Sequence, residues 1–312
     1  MIEIRNLSRW YGDFKAVDDV SFDIAHGEVV GLLGHNGAGK TTIMKMMTGF
    51  LEPSAGSIRI GDLQIGPDTA AIQQKIGYLP ENCPVWPEMT VIDYLEYQAT
   101  LHGVPAHDQA RAVARAIRRT ALKEKATAPI DTLSRGYRQR VGVAQAILHD
   151  PDIIILDEPT NGLDPTQIHQ MRALIRELAQ SATVILSTHI LQEVQAVCER
   201  VLILRAGKLV VDSKLDALQS GQRLTVAVDN AEADRYLAKV DGVGGVQPCD
   251  APPGRYCFSL DAAAETAPAI AAAVQQAGDR LFMLQPEVRT LETVFAEANS
   301  DTSVEQQEAA NG

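Results

Sequence analysis

The chain has 312 residues, 46% of them hydrophobic, so it is long for one domain, short for three, and able to bury a full core. Its formal charge of −12 leaves no basic excess to neutralise phosphates and argues against a nucleic-acid partner. Residues 221–312 hold six Lys/Arg against fourteen Asp/Glu, a net of −8 that leaves −4 for the first 220 residues, and this shift puts a domain boundary near Gly221. Met1–Arg5 lacks the basic segment and apolar core of a signal peptide. No apolar run approaches the roughly 20 residues that span a bilayer, so a membrane role is expected to come through a partner.

Ile2-Glu3-Ile4 and Ala16–Ile24 alternate as strands, with Trp10-Tyr11-Gly12-Asp13 as an exposed turn between them. Glu28–Leu33 is a short apolar run of the kind that forms a buried parallel strand. Gly34-His35-Asn36-Gly37-Ala38-Gly39-Lys40-Thr41 follows and reads G-x-x-x-x-G-K-T, the loop that wraps nucleotide phosphates. Its glycines let successive N–H groups turn inward on an anion, Lys40 adds a point charge, and the Thr41 hydroxyl can hold Mg²⁺. Thr42–Met47 suits the first turns of a helix, whose N-terminus favours phosphate.

Pro53–Gly56 reads as a turn and Ser57–Ile60 as a strand. Residues 70–103 mix short helix with Pro-rich loop, and 106–127 is polar, Ala/Arg-rich and helical. Leu133-Ser134-Arg135-Gly136-Tyr137 places Ser and Gly ahead of a helix over 137–149, a second candidate anion site. Ile153–Leu156 is a buried strand ending in Asp157-Glu158 at the carboxyl edge of the sheet. Asp157 can hold Mg²⁺ directly or through water, and Glu158 can orient or deprotonate an attacking water. Asn161–Asp164 is a tight loop, Thr166–Gln180 a helix, and Thr183–Leu186 a buried strand that delivers His189 to the same edge. Residues 201–204 and 208–211 form a hairpin. This alternation predicts a mostly parallel sheet flanked by helices, with an antiparallel portion at the start.

From Gln222 the pattern restarts as β-α-β-β-α-β, a ferredoxin-like order, over 221–299, with a closing helix at 291–298 and a polar disordered tail over 300–312. The four cysteines contain no C-x-x-C pair; Cys249 and Cys257 could be adjacent on neighbouring strands, and reduced thiols are expected.

Over residues 2–220 the ordered motifs resemble the nucleotide-binding subunit of an ATP-binding cassette (ABC) transporter. The resemblance implies a P-loop NTPase fold, ATP and Mg²⁺ as ligands, and two copies paired head-to-tail around two ATP molecules, as a homodimer or with a similar ATPase. In that arrangement Gly34, Asn36, Gly37, Ala38, Gly39, Lys40, Thr41 and Thr42 bind the nucleotide, and Lys40, Thr41 and Asp157 of one copy would face Ser134 and Gly136 of the other. By resemblance Tyr11 stacks on adenine, although Trp10 beside it could do so. Glu158 is likewise the catalytic carboxylate, His189 the γ-phosphate switch, and Asp164 the residue joining the two sites.

Two motifs depart from the family pattern, with Tyr137 standing where the signature ends in Gln. Arg135 stands where the signature carries Gly, and Glu81 where a loop glutamine is usual; Glu81 can still bind Mg²⁺. Both departures are similar to those in the ATPases of gliding-motility and nitrous-oxide-reductase-maturation systems. The implied partners are integral membrane permease subunits, received by an aromatic-rich patch over Asn82–Val104 that includes Trp86, Tyr94, Tyr97 and Leu101. The chain would then sit on the cytoplasmic face of the membrane, as the ATPase of an exporter. A soluble ABC protein acting on another macromolecule is the alternative.

Overall fold

The computed structural model describes residues 1–219, 223–286 and 290–300. Its contacts divide the chain into two compact units that part between Leu215 and Asp216, the second running to Glu297. The boundary expected at Gly221 and residues 301–312 of the expected tail lie outside the described residues.

The first unit begins with β1 (Ile2–Tyr11), β2 (Phe14–Ile24), β3 (Val29–Leu33), α1 (Lys40–Met47), β4 (Ala55–Ile60), β5 (Leu63–Gln64), α2 (Thr69–Gln73) and β6 (Ile76–Leu79). It continues with α3 (Val91–Leu101), α4 (Ala106–Arg119), α5 (Arg135–Ala146), β7 (Ile153–Asp157) and α6 (Pro165–Leu178). It closes with β8 (Thr183–Thr188), α7 (Leu191–Val197), β9 (Arg200–Arg205) and β10 (Lys208–Lys214).

Six strands form a sheet in the order β10-β9-β3-β8-β7-β6. All of its pairings are parallel except that of β10 with β9. The strands β3, β7 and β8 are buried at every position, which is why they read as unbroken Val/Ile/Leu runs. A second sheet, β2-β1-β4-β5, is antiparallel. One apolar core joins the two sheets and α1, with Ile4, Leu7 and Val17 from the antiparallel sheet, Leu32 and Ile155 from the parallel one, and Met44 and Met47 from the helix.

Three expectations need correction. Trp10 and Tyr11 end β1 rather than forming a turn; the turn is Gly12-Asp13, and Tyr11 pairs with Phe14 across it. Residues 76–79 are a strand within the stretch read as helix and loop. Only the exposed edge of β7, found by non-local pairing, makes them one. Tyr94 is 1% exposed, and its hydroxyl donates to Gln145 Oε1 at 2.6 Å, so it packs α3 rather than joining an exposed patch. Trp86, Tyr97 and Leu101 are exposed, with the Trp86 and Tyr97 rings 4.7 Å apart.

After α8 (Leu215–Gln219), the second unit holds β11 (Arg223–Val228), α9 (Asp234–Leu237), β12 (Val246–Cys249), β13 (Tyr256–Asp261), α10 (Ala267–Ala277), β14 (Leu281–Pro286) and all but the last residues of α11 (Leu291–Ser300). Ser300 therefore ends a helix instead of beginning a tail. The sheet order is β12-β13-β11-β14 with every pairing antiparallel, the arrangement of a ferredoxin-like β-α-β-β-α-β unit. Leu224, Val226, Phe258 and Leu260 of the sheet pack with Leu237, Ile270 and Val274 into a separate core.

Candidate functional site

The carboxyl ends of β3, β8, β7 and β6 are neighbours in the sheet, and each delivers one part of the expected site. The phosphate loop leaves β3, Asp157 ends β7 with Glu158 next, Thr188 ends β8 with His189 next, and Glu81 lies just beyond β6. Parallel register aligns Leu33 with Thr188 and Asp157 with Ser187. An open parallel sheet puts ligands at this edge.

The loop is held in shape from behind. Gly37 and Gly39 have φ of 85° and 104°, conformations that side chains resist. A Cβ on Gly39 would stand 2.6 Å from the Ala16 carbonyl oxygen. The Gly207 N–H donates to the Ala38 carbonyl at 3.1 Å, and the Asp18 N–H donates to the Gly207 carbonyl at 2.9 Å. The turn between β9 and β10 thus ties the loop to β2. Lys40 is buried, and its ammonium donates to the carbonyls of Gly34 at 2.7 Å and His35 at 3.3 Å. Burial lowers its pKa, against the raising influence of Glu158, Asp157 and Glu81.

A cavity of about 350 Å³ opens over the loop. Asn36, Gly37, Ala38, Gly39, Lys40, Thr41 and Thr42 form its floor. Tyr11, Phe14, Ala16, Glu81, Asp157 and Glu158 form its walls. Of the two candidate stacking aromatics, Tyr11 lines the cavity and Trp10 does not. Tyr11 is half exposed, with the Arg9 guanidinium 5.0 Å from its ring centre. Gly34 lies behind the loop, where a Cβ would stand 2.7 Å from the Leu204 carbonyl oxygen.

The carboxylates divide as their environments dictate. The Thr41 hydroxyl donates to Asp157 Oδ2 at 3.0 Å, while Asp157 Oδ1 is buried without a hydrogen-bond partner. Burial pushes the Asp157 carboxyl up, with the Ser187 and then the Thr41 hydroxyls opposing. Glu158 is 6% exposed and sits at φ 49°, an uncommon backbone conformation for such a residue. Burial raises its pKa too, opposed by His189, whose Nδ1 lies 3.0 Å from each carboxylate oxygen. Among the described residues no group of three or more His, Cys, Asp or Glu converges as a metal cage. The Thr41 hydroxyl and the Asp157 carboxylate, one of whose oxygens is buried without a hydrogen bond, fit an ion that takes its remaining ligands from phosphate and water, as Mg²⁺ does.

Behind the Glu158–His189 pair stands a group that sequence reading missed. Glu193, on α7, is 2% exposed and accepts hydrogen bonds from the hydroxyls of Thr160 and, at 3.0 Å, Thr188. It ties the residue two after Glu158 to the residue before His189. An acidic residue four positions after His189, in the first turn of a helix, was the available signal. Phe14 and Ala16 were also missed; they enter the site because the β1–β2 hairpin folds over the loop.

Ser134, Gly136 and Asp164 do not line the cavity. Ser134 caps α5, accepting from the Tyr137 N–H at 3.5 Å, and Asp164 caps α6, accepting from the Gln167 N–H at 2.9 Å. Gly136 faces the Gln167 side chain, and the Arg135 guanidinium lies against Gly162. One copy of the chain therefore gathers the loop, Glu81, Asp157, Glu158 and His189 and leaves the signature residues elsewhere.

This constellation has known counterparts. The family profile described as ABC transporter matches residues 17–161. The ABC transporter ATP-binding protein NatA of Bacillus subtilis is 37% identical over 72% of this chain and 93% of its own length. The chain belongs to the ATP-binding subunits of ABC transporters. Another relative, the Nod factor export ATP-binding protein I of Burkholderia orbicola, is 35% identical over 70% of this chain and 72% of its own. A solved structure described as the ATP-binding subunit of an ABC transporter superposes with a TM-score of 0.65 at 30% identity, covering 70% of this chain and 92% of that one. As an ABC subunit the chain is an ATPase. No helix among the described residues is long and apolar enough to cross a membrane.

Proposed function

We propose that this subunit hydrolyses Mg·ATP in a site completed by a second copy and thereby drives membrane subunits that export a cargo. The observation that carries the reading is the meeting of Lys40, Thr41, Asp157 and Glu158 around one cavity, with His189 bonded to Glu158. In this reading Lys40 exchanges its two loop carbonyls for phosphate oxygens. Thr41 and Asp157 hold Mg²⁺, with Glu81 within the same cavity wall, and the ion neutralises phosphate charge when bound. Glu158 takes the proton of the attacking water. His189 fixes the orientation of Glu158, and Tyr11 stacks on the base. Ser134 and Gly136 reach the phosphates of the partner copy's nucleotide, at the start of α5, and Asp164 joins the two sites.

Export is supported by the names of relatives that handle Nod factor and linearmycin resistance. For the membrane subunit, a cavity of about 830 Å³ lined by Phe50, Tyr78, Pro84 and Leu101 offers an apolar seat, and binding there would hold the chain at the cytoplasmic face.

Head-to-tail pairing is tested by mixing Lys40→Ala with Ser134→Arg. Each alone is inactive in this scheme. A mixed dimer contains one site built from two intact halves, so activity should return on mixing. No recovery at any ratio would sink the composite site. Co-purification of a multi-span membrane protein with the tagged chain tests the exporter reading, which recovery of soluble partners alone would overturn.

A further inference from the structure

The second unit carries two cysteines that no part of the nucleotide site uses. Cys249 ends the edge strand β12, and Cys257 lies on β13 directly opposite it in an antiparallel register. The pairing runs Val246 with Leu260, Gln247 with Ser259, Pro248 with Phe258, then Cys249 with Cys257. Three observations bear on what the two thiols can do together.

The parity comes first. Pro248 has no N–H, and at a sheet edge proline belongs where the missing donor would face outward. That makes Pro248–Phe258 a non-hydrogen-bonded pair and the next one, Cys249–Cys257, a hydrogen-bonded pair with Cα atoms about 5.5 Å apart. Disulfides span about 4.4–6.8 Å between Cα atoms and about 3.5–4.5 Å between Cβ atoms. Opposed Cβ atoms in a hydrogen-bonded pair stand farther apart, at about 5.5 Å, so the bond closes only as the edge strand draws towards β13, and the resulting strain makes it readily reduced.

Alternation comes second. Phe258 and Leu260 point into the apolar core of the unit, so Cys257 and its opposite number Cys249 point to the other face of the sheet. Joining them would leave the core untouched.

Access comes third. Cys257 is 6% exposed, whereas Cys249 is partly exposed. An outside reagent meets Cys249 first.

We infer that Cys249 and Cys257 are a reversible dithiol–disulfide site, with Cys249 the reactive thiol and Cys257 the resolving one. The oxidant is a small-molecule disulfide such as glutathione disulfide. The Cys249 thiolate attacks it, forming a mixed disulfide and releasing one glutathione thiolate. The Cys257 thiolate then attacks Cys249 Sγ, closing the protein disulfide and releasing the second. Two protein thiols lose two electrons, one glutathione disulfide gains them, and the two thiol protons end on the two glutathiones. The bond would pin β12, a four-residue edge strand, to its neighbour.

The test uses the full folded chain exposed to glutathione disulfide, then quenched with acid, alkylated and digested with trypsin without reduction. Cleavage after Lys239, Arg255 and Arg280 separates the two cysteines onto peptides 240–255 and 256–280. The expected result is those peptides joined as one species that disappears on treatment with a dithiol. Cys257→Ser should trap glutathione on Cys249, and Cys249→Ser should leave Cys257 unmodified at the same exposure, with circular dichroism confirming that each variant is folded. Stable glutathione on Cys249 in the unaltered chain would overturn the proposal. So would the same linked species forming only after denaturation, or disulfides joining two chains.

Discussion

Replacing Glu158 by Gln separates the two things this carboxylate does. The side chain keeps its shape and can still accept a bond from His189, but it can no longer take a proton. General-base transfer is worth about 10²–10⁴-fold in rate, or roughly 3–5 kcal/mol of barrier at about 1.36 kcal/mol per decade. Turnover should fall by that factor while ATP binding is retained. Stability should move the other way. Burial holds the Glu158 carboxyl above its ordinary value of 4.5 in the folded chain. Below about 4 both folded and unfolded chains carry the proton, and the residue contributes no difference. As pH rises past the unfolded value the unfolded chain ionises first, so a penalty on folding grows and is complete above the folded pKa. Gln carries no such penalty. The nucleotide-free variant should therefore melt no lower than the parent at pH 7.5, and the two should converge as pH falls towards 4. Phosphate release, fluorescent-nucleotide binding and thermal melts across pH measure the three quantities. Turnover within tenfold of the parent would refute Glu158 as the base. A markedly lower melting temperature at pH 7.5 would refute the claim that burial of this charge opposes folding.

Further expectations follow from the same contacts. Gly39→Ala would force a side chain into φ 104° and against the Ala16 carbonyl, and should cost about 1–3 kcal/mol in chemical denaturation together with nucleotide affinity; a neutral result would mean the loop is not clamped there. Glu193→Ala would strand the buried Thr160 and Thr188 hydroxyls, at about 1–3 kcal/mol each. It should also lower kcat more than KM for ATP, and equal losses in both would reduce it to a packing residue. Burial, with the stacked His102 ring 4.2 Å away, brings His149 down to about 4. It stays neutral in the folded chain while an unfolded histidine begins to protonate near 6.5. Stability from this source is whole above that value and drains as pH falls towards 4, by at most about 3 kcal/mol. His149→Phe should flatten this acid dependence, measured by urea unfolding at pH 7.5 and 5; an unchanged slope would show that the ring is reached by water.

What the sequence determined by itself was whatever depends on near neighbours along the chain. Gly34–Thr41 spells its chemistry in eight consecutive residues, and Ile153–Glu158 announces a buried strand that ends in two carboxylates, because the strand run and its terminal charges are local. The tertiary structure decided what depends on partners far away in the chain. β3 pairs with β8 and β9, more than 140 residues on, which sets the phosphate loop beside Thr188, and the register of β7 with β8 brings His189 within 3.0 Å of Glu158. β6 is a strand because β7 offers it an edge, Tyr11 rather than Trp10 faces the cavity because of how the β1–β2 hairpin ends, and Glu193 matters because two loops bring hydroxyls to it. None of these leaves a pattern at short range. A backbone hydrogen bond between strands carries no sequence signature of its own, and shifting a strand by one residue turns every side chain to the opposite face.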